Sequence, residues 1–149
     1  MVYKLAENNN WQLMAVRLDG LSFDRSNYDP QKAPQVNAET QLTLPGHPDD
    51  SSTLNVIQVI SKFSLYDDEL SKPYFTATIA GVYQVPDSLK DNDAIQKAID
   101  DDKNLKDSFA QPVVDYMLAV FADTTLKAFG TPTILKREPL IDTLFGRKA

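Results

Sequence analysis

Phe109–Phe129, FAQPVVDYMLAVFADTTLKAF, followed at once by Gly130-Thr131-Pro132, is the stretch whose reading decides the fold of this chain. Its apolar residues recur three and four positions apart, the spacing of a helix face. Pro112 suits a first turn, where an amide hydrogen would have no partner, and Gly130 with Pro132 is a strong stop. At about 100° per residue, the helix carries two adjacent apolar stripes. Phe109, Val113, Tyr116, Met117 and Val120 form one, and Val114, Leu118, Phe121 and Phe129 form the other. Asp115 and Asp123 occupy the narrow remainder. A helix lying on a sheet needs one stripe roughly 100° wide; this one has about double. The second stripe must be covered by the C-terminal segment, another subunit or an apolar ligand.

Upstream of the helix the pattern changes to that of strands. Ile57, Val59, Phe63 and Leu65 share one parity in Leu54–Tyr66, and Phe75, Ala77, Ile79, Tyr83 and Val85 do so in Tyr74–Val85. Period-two alternation puts each set on one sheet face, with Asp67–Lys72 as the connecting turn. Two earlier strands are expected. Trp11–Leu18 is a mostly apolar run that resumes at Leu21–Asp24 after Gly20, which predicts a bulge or bend. Glu39–Leu44 is a short alternating strand, preceded by an extended loop over Tyr28–Asn37 and ended by the Pro45–Ser52 turn. Asp91–Leu105 reads as one modest helix with Ile95, Ala98, Ile99 and Leu105 on its apolar stripe. Pro139–Phe145 is a short tail helix that must dock to be stable. The prediction is a single α+β domain over residues 1–149. It has about four antiparallel strands packed by a long C-terminal helix and shorter ones.

Composition narrows the chemistry. The chain has 149 residues, no cysteine, one histidine and a net charge of −6. Its length is that of one domain able to bury a core without staples. The missing cysteines exclude disulfides, thiol catalysis and Cys-ligated metals. The acidic balance argues against nucleic acid as a partner. No stretch is long and apolar enough to span a bilayer, and Met1–Asn10 does not read as a secretory signal, so the expected location is the cytoplasm.

No Gly-x-Ser-x-Gly elbow or glycine-rich phosphate loop occurs. His47 lies in a Pro/Gly loop, where a solvated side chain is the ordinary expectation. Asp49-Asp50, Asp67-Asp68-Glu69 and Asp100-Asp101-Asp102 lack the alternating spacing of a calcium loop and read as solvated charge. Asp19 and Asp115 are the carboxylates nearest apolar runs, and nothing pairs them as acid and base. No catalytic residue, metal site or cofactor is therefore expected, and the protein is read as a non-enzyme. A small-molecule-binding or hydrolytic domain would instead need a pocket with convergent buried carboxylates.

Several local words, in order, resemble the SecB-type protein-export chaperones. Leu21-Ser22-Phe23-Asp24 is similar to the family's first-strand Ile-Ser-Phe-Glu, and Phe75-x-Ala77-x-Ile79-x-Gly81 to its fourth strand. Phe109-x-x-Pro112 resembles the Leu-Phe-Pro that opens its long helix, and Gly130-Thr131-Pro132 the Gly-Thr-x-Pro that closes it. Ile141-Asp142-x-Leu144-Phe145 resembles the Phe-Asp-x-Leu-Phe of its last helix. The match runs from about Gln12 to Phe145. The chain departs from it in a longer main helix and in the acidic Asp91–Lys106 stretch, which replaces a more apolar, cysteine-containing segment. It therefore looks like a divergent relative, near a Gram-positive group without an assigned role.

The resemblance implies a homotetramer built as a dimer of dimers, with apolar grooves that hold unfolded or extended polypeptides without ATP. By this analogy Val114, Leu118, Phe121 and Phe129 are expected in subunit or groove contacts. Trp11, Phe63, Leu65, Tyr83 and Val85 are further groove-wall candidates that core packing explains equally well. The alternative is a SecB-fold adaptor with one specific protein partner.

Overall fold

Residues 11–29, 31–46, 55–67 and 72–145 are described by a computed structural model. His47, Asp49, Asp50, Asp68 and Glu69 lie outside them. The strands are β1 (Gln12–Phe23), β2 (Gln35–Thr43), β3 (Val56–Tyr66) and β4 (Phe75–Gln84), followed by helices α1 (Asn92–Asp100), α2 (Lys103–Phe129) and α3 (Arg137–Leu144). The sheet is antiparallel in the order β1-β4-β3-β2, so the first two strands are its opposite edges.

Alternation in β3 and β4 does what the sequence pattern requires. Ile57, Val59, Phe63 and Leu65 stand on the same face as Tyr83, Gly81, Ala77 and Phe75, their cross-strand partners, and this face is buried under the helices. The bend expected near Gly20 is a register shift between Leu18 and Gly20, with a second between Leu13 and Ala15. The strand expected at Glu39–Leu44 begins four residues earlier, at Gln35. Pro34 ends the preceding loop without limiting the pairing that follows, because its successors carry the donors.

The main correction concerns the helices. Asp91–Leu105 is not one helix: α1 stops at Asp100, and α2 restarts at Lys103 after Asp101-Asp102. Both starts are capped by carboxylates, Asp91 accepting from the Ala94 amide at 2.7 Å and Asp102 from the Leu105 amide at 3.0 Å. An N-cap satisfies an amide that has no partner within the helix. Pro112 consequently sits inside α2 rather than in its first turn. A proline there removes one ladder bond and crowds the preceding turn. Gly130, at φ 77°, closes α2 in the left-handed region and donates its amide to the Leu126 carbonyl at 2.8 Å. Only glycine adopts that conformation without strain.

The buried residues divide near this proline. The N-terminal part of α2, with Leu105 and Phe109, shares a cluster with Ile95 and Ile99 of α1 and with Trp11, Ile57, Val59, Tyr83 and Val85. The part after it, with Val113, Val114, Met117 and Phe121, packs with Phe63, Leu65, Tyr74, Phe75, Ala77 and Ile79 and with Leu140 and Leu144 of α3. Gly81 permits the approach, because a Cβ there would stand 2.9 Å from Val113 Cγ2.

Candidate functional site

The second stripe of α2 is covered by this chain itself. Helix α3 packs on α2 and on β2, and it buries Leu140 and Leu144 in the cluster that holds Val114 and Phe121. Leu118 is partly buried against the same cluster. Arg137 at the start of α3 reaches Asp115 of α2 in a two-pronged ion pair, Nε to Oδ1 at 2.6 Å and Nη2 to Oδ2 at 3.2 Å. Asp115 is thus a structural carboxylate, and Asp19 likewise faces Arg17 at 2.7 Å.

Docking α3 leaves a groove beside it. A depression of about 480 Å³ is lined by Ala33, Pro34 and Val36 on one side and by Ile134, Leu135, Lys136, Pro139, Leu140 and Thr143 on the other. Apart from Lys136 and Thr143 these are apolar side chains, and Ile134 is 76% exposed. The groove borders the start of β2, which among the described residues is a sheet edge whose ladder pairs only with β3. The outer backbone groups of an edge strand are open to another extended chain. Along β2, Val36, Ala38, Thr40 and Leu42 are half-buried, while Gln35, Asn37, Glu39, Gln41 and Thr43 are exposed. Such an edge can offer main-chain hydrogen bonds while the groove takes alternate side chains.

At one end of the groove both walls are irregular chain, residues 33–34 on the first and 134–136 on the second, while Val36 belongs to β2 and Pro139, Leu140 and Thr143 belong to α3. On the first, Asp24 caps the short 3-10 turn Arg25–Asn27, accepting from the Ser26 amide at 3.0 Å and hydroxyl at 2.6 Å. These bonds lower the Asp24 pKa. The Tyr28 ring then packs on Tyr74 and Phe129, with centroids at 4.7 and 5.0 Å. Burial pushes the Tyr74 phenol pKa well above its ordinary value. On the second wall, the Thr133 amide donates to Thr125 Oγ1 at 2.7 Å.

The expected site residues fall elsewhere. Val114, Phe121, Phe63, Leu65, Trp11, Tyr83 and Val85 are buried core, so their side chains present no wall to a second molecule. Phe129 is partly buried beneath Arg25, whose guanidinium carbon stands 5.0 Å from the ring centroid. Among the expected contact residues, only Leu118 and Phe129 retain appreciable exposure, and neither lines the groove. The groove residues Ala33, Pro34, Ile134 and Leu135 have no periodicity to mark them. The one available signal was Ile134-Leu135, a large apolar pair stranded in loop sequence.

Elsewhere, edge strand β1 exposes Met14, Leu18 and Leu21. Among the described residues, no helix is long and apolar enough to cross a membrane.

No family model and no curated protein sequence matches the chain. Solved structures do. A protein of unknown function from Streptococcus agalactiae superposes with a TM-score of 0.50 at 13% identity, covering 86% of this chain and 98% of that one. A SecB-like chaperone of Mycobacterium tuberculosis, solved with a peptide from an antitoxin, gives a TM-score of 0.48 at 13% identity over 85% and 89% of the two chains. The likeness is one of fold, and the α+β arrangement, among the described residues a four-stranded antiparallel sheet with three helices, is the architecture that the SecB resemblance implies.

Proposed function

We propose that this protein is a SecB-like, non-enzymatic binder that holds unfolded or extended polypeptide in an apolar groove without ATP, in the cytoplasm and as a homo-oligomer. The observation that carries the reading is the groove itself, an exposed apolar cleft alongside an open sheet edge. Apolar side chains of a client would gain roughly 25 cal/mol for each Å² removed from water. Its main chain can add to β2. A folded client hides both features, so the site discriminates for unfolded chain.

Aggregation of a chemically denatured client, followed by light scattering, tests this. The protein is expected to delay aggregation with no nucleotide present, and Ile134→Asp is expected to abolish the delay while leaving the melting temperature unchanged. Failure of the parent protein to protect any client, or full protection by Ile134→Asp, overturns the reading. Saturable binding to a single protein, with none to generic unfolded chains, would replace it with the adaptor role.

A further inference from the structure

At one end of the groove the walls are irregular chain segments about a hundred residues apart, and beyond it they are β2 and α3, which pack on each other. Among the described residues of 28–34 and 130–136 there is no helix or strand. Between them runs a side-chain hydrogen bond, Tyr28 hydroxyl to Thr133 Oγ1, at 3.1 Å. Behind Thr133 the connection continues into rigid structure, since its amide donates to Thr125 Oγ1, which donates to the Phe121 carbonyl at 3.0 Å. On the other side the Tyr28 ring is seated on Phe129 and on Tyr74 at the head of β4. At this end the second wall is therefore anchored to α2, and Tyr28 fastens the first to it through its ring and its hydroxyl.

We propose that the Tyr28–Thr133 contact is a clasp that sets the width of the groove at its irregular end and hence the bulk of side chain admitted there. The inference rests on the groove being the polypeptide site. A neutral hydrogen bond between partly exposed groups has a small net value, so it can open and close readily. Small side chains enter with the clasp shut, and bulky aromatic ones require it to open. Tyr28 is thus a positioning residue that acts through the walls.

Because the chain has no cysteine, a pair of spin labels can be placed without background. Labels at Ala33→Cys and Leu135→Cys report the wall separation by pulsed electron resonance, with no client present. The parent pair is expected to give one dominant distance. Tyr28→Phe, which keeps the ring, and Thr133→Val, which removes the bond from the other side, are each expected to raise the wide population about fivefold, the value of one net hydrogen bond. In parallel, unlabelled Tyr28→Phe is expected to bind a Trp-rich extended peptide about fivefold more tightly, with little change for an Ala/Val-rich one.

Unchanged distances in both variants overturn the clasp. Widened distances without a change in peptide preference overturn its role in selection. Absence of peptide binding by the parent protein removes the groove reading itself, while the distance result still decides whether the walls are clasped. Melting temperatures of the variants show that each remains folded.

Discussion

The hydroxyl of Tyr83 donates to the main-chain carbonyl of Phe109, three residues before Pro112. The proline loosens the helical ladder over this turn, and β4 supplies a buried donor where the helix is disturbed. The same contact gives a buried phenol its partner, which burial requires. Two strand residues therefore let α2 carry its proline against the sheet: Tyr83 through the bond, and Gly81 through the space it leaves for Val113.

Tyr83→Phe is expected to cost about 0.5–1.5 kcal/mol, because the buried bond from the phenol to the carbonyl is lost while the packing stays. Gly81→Ala is expected to cost about 1–3 kcal/mol by overpacking, since the added methyl would meet Val113. Both are read as shifts in the urea midpoint. No loss in Tyr83→Phe would mean that the Phe109 carbonyl is satisfied by the helix alone.

These residues also show where sequence reading succeeds and where it stops. The faces of β3 and β4 were legible because a parity rule acts along each strand, and Ile57, Phe63, Phe75 and Ile79 obey it. Pro112 was misleading because its commonest helical position is the first turn. A local rule does not know that a tyrosine on β4, beyond α1 in the chain, can support it in the interior. The cue that could have corrected the boundary was Asp102, a good N-cap placed three residues before Leu105. The second stripe of α2 was legible as an excess, but not its cover. Val114 and Phe121 look alike whether α3 or another molecule buries them. The groove was not legible at all, because Pro34 and Ile134 meet only through tertiary structure.

The pH limb of stability on the alkaline side is expected to involve Tyr74. Burial raises its folded-state pKa, above an unfolded value near 10. Folding therefore favours the protonated phenol. The contribution is fully present below about pH 10 and is lost as pH rises from there toward the folded value. The loss is expected to be about 1.4 kcal/mol for each pH unit in that window. Tyr74→Phe should show a shallower fall in urea midpoint between pH 9 and about 11.5 than the parent protein. Identical alkaline slopes would show that the phenol ionises without unfolding its surroundings.

Arg137 and Asp115 join α3 to α2 across a half-exposed surface, with side-chain exposures of 37% and 20%. Screening by solvent keeps such a pair to about 0.5–1 kcal/mol, so global stability should change little in Arg137→Met. Local stability should change more visibly. An eight-residue helix has too few turns to persist without its docking contacts. Amide exchange over Leu140–Leu144 is expected to accelerate about threefold in Arg137→Met while exchange in β3 is unaffected. Molar salt should produce part of the same acceleration in the parent protein. Uniform acceleration through both elements would mean that α3 opens only with the whole domain.

At the opposite edge of the sheet from the groove, β1 exposes Met14 at 47%, Leu18 at 37% and Leu21 at 48%. By the cross-strand register, Leu18 and Leu21 lie opposite Ile79 and Ala77, on the face that carries the helices. They extend the apolar face beyond the part that the core closes. Together with the open backbone of an edge strand, they suit a second copy better than a transient client, because two such edges can be self-complementary about a two-fold axis. Light scattering is expected to return a multiple of the 16.7 kDa chain mass, and Leu21→Asp is expected to shift it toward the single chain. A monomeric parent protein would remove this role from β1. It would leave the groove untouched, since every residue lining that groove is supplied by one chain.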